Sequence, residues 1–234
     1  TYRAPLDEFR LLLTHIVGFN AVSQTERFAD ASLDTVEAVL SEAAKMCEEV
    51  LAPLQRAGDL HPAHLENGVV RTSPGYAEGY RAIATGGWVA IAADPAHGGM
   101  GLPMTLNTAV NEMMSSACLS LQLAPLMSQG QIEALEHHAS DQIKAVFLPK
   151  LISGEWTGTM NLTEPQAGSD VGALTSTAVD QGDGTYAITG QKIYITWGDN
   201  DFGGNICHLV LARIPGAPAG TKGISLFLVP KYLP

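Results

Sequence analysis

The densest chemistry in this sequence lies in Thr163-Glu164-Pro165-Gln166-Ala167-Gly168-Ser169-Asp170, a polar run that follows the apolar, strand-like stretch Trp156–Leu162. Pro165 fixes one φ and has no N–H to donate, so the chain is expected to leave the strand there. Gly168 is expected to take a φ that other residues avoid, turning successive backbone amides into one concavity beside the Ser169 hydroxyl. Such a concavity suits the anionic or polar edge of a ligand, although a Pro/Gly strand exit without a ligand has the same local chemistry. A second segment, GQKIYIT from Gly190 to Thr196, reads as the end of a strand Thr185–Thr196. Alternation then puts Tyr194 and Thr196 on one face and Ile193 and Ile195 on the other, so a ring and a hydroxyl look the same way.

Other residue clusters offer less. His61 and His64 have metal-like spacing but no third ligand nearby, and read as a solvated loop; no metal site is expected. The turn DPAHGGMGLP, Asp94–Pro103, is glycine-rich but lacks both a following Lys-Ser/Thr and GxGxxG spacing, so a structural turn with His97 solvated or hydrogen-bonded is expected. Cys47, Cys118 and Cys207 are widely spaced without a CxxC and read as small buried hydrophobes in a reducing compartment.

Taken in order, TEPQAGSD and then GQKIYIT resemble the middle of an acyl-CoA dehydrogenase, whose pattern is a TEPxxGSD turn followed by a GxKxWIT strand. The resemblance implies FAD as cofactor, with Met160, Asn161, Leu162, Thr163, Gly168 and Ser169 along the flavin nucleotide. The Thr163 amide and hydroxyl would bond the pyrimidine edge, and Ser169 would reach the pyrophosphate and the acyl-CoA. Thr196 would bond the flavin N5 region, with Tyr194 and Ile195 beside the ring, and Thr221 would touch the CoA adenosine end. Two positions depart from the pattern: Tyr194, where most members carry Trp, and Asn161, where a small residue is usual. Both bear on flavin electronics, which ring contacts and nearby polar groups set.

The implied reaction is FAD-dependent α,β-dehydrogenation of an acyl-CoA thioester, with a carboxylate taking the α-proton as the β-hydride passes to flavin N5. In most members that base is a Glu of a C-terminal helical bundle. No residue of this chain matches it, so no catalytic residue is assigned, and Glu164 is expected to support its turn. The resemblance further implies electron-transfer flavoprotein as acceptor and a homodimer or tetramer for the full-length protein. The wording of Tyr2–Phe19 is similar to a longer-chain branch that includes 3-methylthiopropionyl-CoA dehydrogenases. The alternatives are an acyl-CoA oxidase or flavin monooxygenase on the same cradle, or a non-catalytic, DNA-associated member.

Composition narrows the field. Hydrophobic residues make up 46% and charged residues 16%, as in a well-packed globular protein. Thirteen Lys and Arg against 24 Asp and Glu give a net charge of -11, which argues against a nucleic-acid partner. No apolar run approaches the roughly 18 residues that cross a bilayer, and no charged segment followed by an apolar one opens the sequence, so a cytoplasmic protein is expected.

The elements that must position these motifs are helical first and β second. Tyr2–Phe19 predicts a short amphipathic helix or pair of turns. Ser32–Leu54 predicts a one-sided helix stopped by Pro53, its apolar residues running from Val36 and Val39 to Val50 and Leu51. A loop Ala57–Ser73, a helix Pro74–Gly86 and three helices, Thr105–Met114, Leu119–His138 and Asp141–Leu151, follow. Leu123, Met127 and Gln129 are placed by the resemblance near the acyl chain; His137 and His138 are expected to cap a helix end. After Gly154 the period changes to two, predicting strands Trp156–Asn161, Leu174–Val179, Thr185–Thr196, Ile206–Ile214 and Ile224–Val229, with GDGT, Gly182–Thr185, as a hairpin turn. The expected architecture is α+β: an extension 1–31, an all-helical domain 32–154, and a small β-barrel or β-sandwich domain 155–234, the family's C-terminal helical bundle being absent.

Overall fold

A computed structural model describes residues 2–234. Short helices α1 (Leu6–Leu11) and α2 (Phe19–Ser23) flank a π-helical turn, Leu12–Val17. They bury Phe9, Leu13 and Phe19 while Leu12 and Ile16 stay exposed. Helix α3 (Leu33–Met46) starts at Ser32, whose hydroxyl accepts the Thr35 amide at 3.1 Å, and buries Val36, Leu40, Ala43 and Ala44 on one face. The helix does not stop at Pro53. A π-helical turn, Cys47–Leu51, runs into α4 (Ala52–Leu60), so Pro53 falls in the first turn of α4 directly after a π-helical turn.

The expected loop Ala57–Ser73 is also more ordered than anticipated. Strands β1 (His64–Glu66) and β2 (Val69–Arg71) pair antiparallel around Asn67 (φ 51°) and Gly68 (φ 79°), the Asn-Gly turn that suits a two-residue hairpin. His61 and His64 are exposed. Among the described residues no three His, Cys, Asp or Glu side chains gather as a metal site. The three cysteines are buried, and burial pushes the Cys47 and Cys207 thiols up to about 12.

Helix α5 (Tyr76–Thr85) leads through the turn at Pro95–His97 to α6 (Met104–His138). The helices expected as Thr105–Met114 and Leu119–His138 are two limbs of α6, broken at Cys118 by a non-helical backbone (φ -155°, ψ 83°). Helix α7 (Asp141–Ile152) begins at the Ser140 cap. Leu106, Val110, Met113, Met114 and Leu121 of α6 pack into one core with Leu40, Leu51, Ile83 and Leu148, all essentially inaccessible. Each such side chain is worth about 1.5–3 kcal/mol by burial.

The fold class is α+β, helices first, and the β part is a five-stranded mixed sheet. Its spine is β6 (Asn205–Arg213). Along one edge β7 (Ile224–Pro230) pairs antiparallel, from Cys207↔Pro230 to Arg213↔Ile224. A strand has two edges, so β3 (Trp156–Asn161), parallel from Trp156↔Asn205 to Asn161↔Val210, and β4 (Thr177–Asp180), parallel at Thr177↔Arg213, must share the other. The polar run 162–176 is therefore the excursion the chain makes between leaving that edge and rejoining it. Strand β5 (Tyr186–Thr189) completes a hairpin with β4. The Tyr186 and Phe227 rings lie 5.0 Å apart, so the sheet curls until β5 meets β7.

Helix α6 seats on β3. The Ser128 hydroxyl accepts the Gly158 amide at 3.0 Å, and a Cβ at Gly158 would lie 2.0 Å from Gln131 Oε1 and 3.1 Å from Gln131 Cβ. A glycine there lets helix and strand approach closely.

Candidate functional site

The excursion begins where β3 ends. Glu164 and Ala167 close a tight turn, Glu164 N–H donating to Ala167 O at 2.7 Å and Ala167 N–H returning to Glu164 O at 3.1 Å. The Glu164 carboxylate points inward and is 3% exposed. Its Oε1 accepts Lys192 Nζ at 2.8 Å and the Ser176 amide at 3.0 Å; its Oε2 accepts the Thr175 amide, the Thr175 hydroxyl and Gln166 Nε2. Burial alone would raise this carboxyl's pKa, but Lys192, Ser176, Thr175 and Gln166 outweigh it and hold the group well below the usual carboxylate range. Glu164 is thus an ionised post at neutral pH, with both oxygens occupied.

Lys192 also donates to Leu162 O at 3.1 Å, and the Ile193 amide donates to Thr163 O at 2.9 Å. These bonds lay the GQKIYIT segment beside the turn. The segment itself is not a strand: β5 stops at Thr189. Gly190 passes so close to Ser176 that a Cβ would lie 2.1 Å from its Oγ, and Tyr194 (φ 56°) and Trp197 (φ 52°) both take left-handed backbone. Two such residues within four positions cannot continue an extended run, which is why the expected alternation of Tyr194 and Thr196 fails. Instead Tyr194 is 90% exposed, while Ile195 and Thr196 are half-buried. The loop is pinned at its far end by Trp197, whose Nε1–H donates to Ser120 O at 2.9 Å just past the break in α6.

Gly168 is not in a left-handed conformation, contrary to the sequence-based expectation. A Cβ there would meet only Thr163 Cγ2, at 3.5 Å, so nothing within the described residues demands a glycine. Ser169 beside it is exposed. Met160 is 36% exposed, whereas Asn161 faces the other side of β3 by strand alternation. There Thr159 Oγ1 donates to Asn161 Oδ1 at 2.6 Å and lies 2.7 Å from His208 Nδ1. Burial holds the His208 pKa below the ordinary value.

Thr221 lies on a distant loop that folds back. Arg213 donates to Pro218 O, to Gly220 O at 3.0 Å and, through its other nitrogen, to Gly172 O at 3.1 Å. The clamp sets exposed Thr221 beside the turn that follows Ser169. The structure therefore sets Gly168 against Thr163 and, through the Ile193 amide, Thr163 beside the segment that carries Tyr194, holds the Thr221 loop next to Gly172, and turns the Asn161 side chain to the opposite face of β3 from Met160. Sequence reasoning assigned no role to Lys192, although it lies inside a motif quoted for other residues, and none to His208 or Arg213, whose partners are set by strand register.

Of the pocket residues expected on α6, Gln129 lines a cleft of about 620 Å³, with Leu126 and Gly130 in place of Leu123 and Met127. Its amide bridges the limbs, accepting from Asn111 Nδ2 at 2.8 Å and donating to Trp88 O at 3.1 Å.

A helical lobe followed by a mixed sheet is the order of the acyl-CoA dehydrogenase N-terminal and middle domains, both of which match this chain. The family's N-terminal domain matches residues 33–155 and its middle domain residues 159–234, and the chain belongs to the acyl-CoA dehydrogenase family. It is 46% identical over 233 residues to 3-methylmercaptopropionyl-CoA dehydrogenase of Ruegeria pomeroyi, covering 100% of this chain and 40% of that protein. It is 37% identical over 204 residues to a butyryl-CoA dehydrogenase of Syntrophomonas wolfei, covering 86% of this chain and 33% of that protein. Among solved structures, PigA with FAD and proline superposes with a TM-score of 0.69 at 20% identity, covering 86% of this chain and 49% of that one, a likeness that carries the fold. The chain thus spans less than half the length of each of these proteins.

Proposed function

We propose that this chain is the flavin-cradling part of an FAD-dependent acyl-CoA dehydrogenase that acts on a short or sulfur-containing acyl thioester. The observation that carries the reading is the buried Glu164–Lys192 pair, side chains 1% and 9% exposed, which joins the two motif segments. It leaves Met160, Ser169 and Tyr194 open on the outside of that joint. An exposed phenol ring on left-handed backbone, beside an open turn whose glycine answers to no neighbour, fits a flat aromatic group with a polar tail.

FAD, when bound, supplies the hydride acceptor for α,β-dehydrogenation. This chain's residues hold and orient it. The backbone amide and hydroxyl of Thr163 would meet the polar ring edge, Gly168 would admit close approach, Ser169 would donate toward phosphate, and Tyr194, Ile195 and Thr196 would border the ring. Ser169 and Thr221 face the CoA portion of the substrate. Glu164 cannot serve as the base, because both its oxygens are taken. We assign proton abstraction to a carboxylate elsewhere in the full-length polypeptide, with electron-transfer flavoprotein as acceptor, a homodimer or tetramer as the assembly and the cytoplasm as the compartment.

The test is an anaerobic visible spectrum of the full-length protein before and after 3-methylthiopropionyl-CoA, butyryl-CoA or a long-chain acyl-CoA. Bleaching of the flavin band with one of them is expected and identifies the acyl class. Absence of a flavin band after adding FAD would refute the cradle, and rapid oxygen consumption on reoxidation would reassign the reaction to the oxidase type.

A further inference from the structure

The loop 214–223, IPGAPAGTKG, has almost no core of its own: Pro215, Gly216 and the run 218–222 are exposed. One side chain holds it. Arg213 is the last residue of β6, and its backbone is fixed there by pairing with Ile224 of β7 and by its amide, which donates to Ser176 O at 2.9 Å. From that fixed stem the guanidinium reaches two separate segments. Nη1 donates to Pro218 O and Gly220 O, closing the loop on itself, and Nη2 donates to Gly172 O, in the turn that follows Ser169. All three acceptors are backbone carbonyls, so these bonds fix the course of the chain. The two segments touch where Arg213 joins them. A Cβ on Gly172 would lie 3.3 Å from Gly220 Cα and 3.5 Å from the Thr221 nitrogen, and a Cβ on Gly223 would lie 1.8 Å from Pro218 O. A guanidinium suits this task because its donors lie in one rigid plane, so seating one arm on the loop determines where the other meets the turn. An ammonium on a flexible stem is a single point of attachment and fixes no such relation.

We infer that Arg213 is a positioning residue for the substrate: it holds the turn after Ser169 and the loop that carries Thr221 at one separation, and that separation sets how tightly the nucleotide end of CoA is bound. The inference rests on the acyl-CoA dehydrogenase reading, in which Ser169 and Thr221 face CoA, and adds to it the residue that makes two stretches distant in sequence act as one surface. The bonds of Arg213 run to the backbone and not to either hydroxyl, so its contribution is geometric. Losing it weakens binding of ground and transition states alike, which raises KM and leaves kcat where it was.

The test uses the full-length protein with an artificial electron acceptor, in wild type, R213K and R213M. Butyryl and 3-methylthiopropionyl groups are each supplied as the CoA thioester and as the pantetheine thioester, which carries the same reacting centre without the nucleotide. R213M removes fork and charge, whereas R213K keeps the charge and loses the fork. Both should raise KM for acyl-CoA by about tenfold, the scale on which a small misplacement of binding groups is felt. Flavin content, kcat and KM for the pantetheine thioester should stay as in wild type. Should far-UV spectra show R213M unfolded, R213K carries the same comparison. An unchanged KM for acyl-CoA would overturn the positioning role, and a wild-type KM in R213K alone would replace the two-armed clamp by a simple effect of charge. An equal rise with both thioesters, or loss of flavin, would assign Arg213 to the fold and not to the substrate. No turnover of any acyl-CoA by the wild-type protein would remove the underlying reading, and the role of Arg213 with it.

Discussion

A buried carboxylate inside a ligand-like motif invites a catalytic assignment, and Glu164 shows why geometry must precede it. With five donors on its two oxygens and Lys192 at 2.8 Å, it is a structural anion whose removal strands a buried ammonium. E164Q should lower unfolding free energy by about 3–5 kcal/mol, the usual consequence of breaking a buried pair at one end. K192M should do the same, and in a double-mutant cycle followed by urea unfolding the pair should lose less than the sum of the singles. The pH dependence follows from the depressed folded-state pKa. Above the carboxyl's ordinary value of 4.5 the stabilisation is complete, and it is lost as pH falls toward the folded-state value. Wild-type melting temperature should therefore drop below pH 4.5 more steeply than that of E164Q. Parallel curves would show that the pair contributes nothing.

Elements were legible in the sequence wherever one side chain pattern decided them. Helix α3 follows from period, because Val36, Leu40, Ala43 and Ala44 bury one face of it, and β3 lies at the bounds that its strand-like composition marks, Trp156–Asn161. Pro53 misled because the helical backbone runs on through a π-helical turn ahead of it. GQKIYIT misled for a different reason: its composition is that of a strand, but tertiary bonds from Lys192 and Ile193 to the turn, and from Trp197 to Ser120, hold it as a loop. No local rule anticipates partners that are 28 and 77 residues away. The loop should accordingly depend on its far anchor. W197F removes one hydrogen bond, about 1 kcal/mol, and should weaken FAD binding roughly fivefold in a fluorescence titration while leaving the far-UV spectrum unchanged. Wild-type affinity in that variant would mean that the loop borders no flavin.

For the whole molecule the question is what this chain accomplishes by itself. It spans 40% of the Ruegeria pomeroyi relative, and the Glu164 carboxylate of its cradle is committed to holding the turn together. Catalysis of α,β-dehydrogenation requires a base within hydrogen-bond reach of the α-carbon as well as a hydride acceptor. On the proposed reading the binding surface and the base belong to different stretches of polypeptide. The 234-residue chain should consequently give no turnover with acyl-CoA and an artificial electron acceptor, even when saturated with FAD, while the full-length protein turns over under the same conditions. Supplying a base from solution is the sharper version of the experiment: acetate or formate, added to the chain with FAD and acyl-CoA bound, should restore slow bleaching that saturates with carboxylate concentration if the cradle is competent and lacks only the base. Turnover by the unaided chain would instead require a base among its own residues and would reopen the assignment of Glu164.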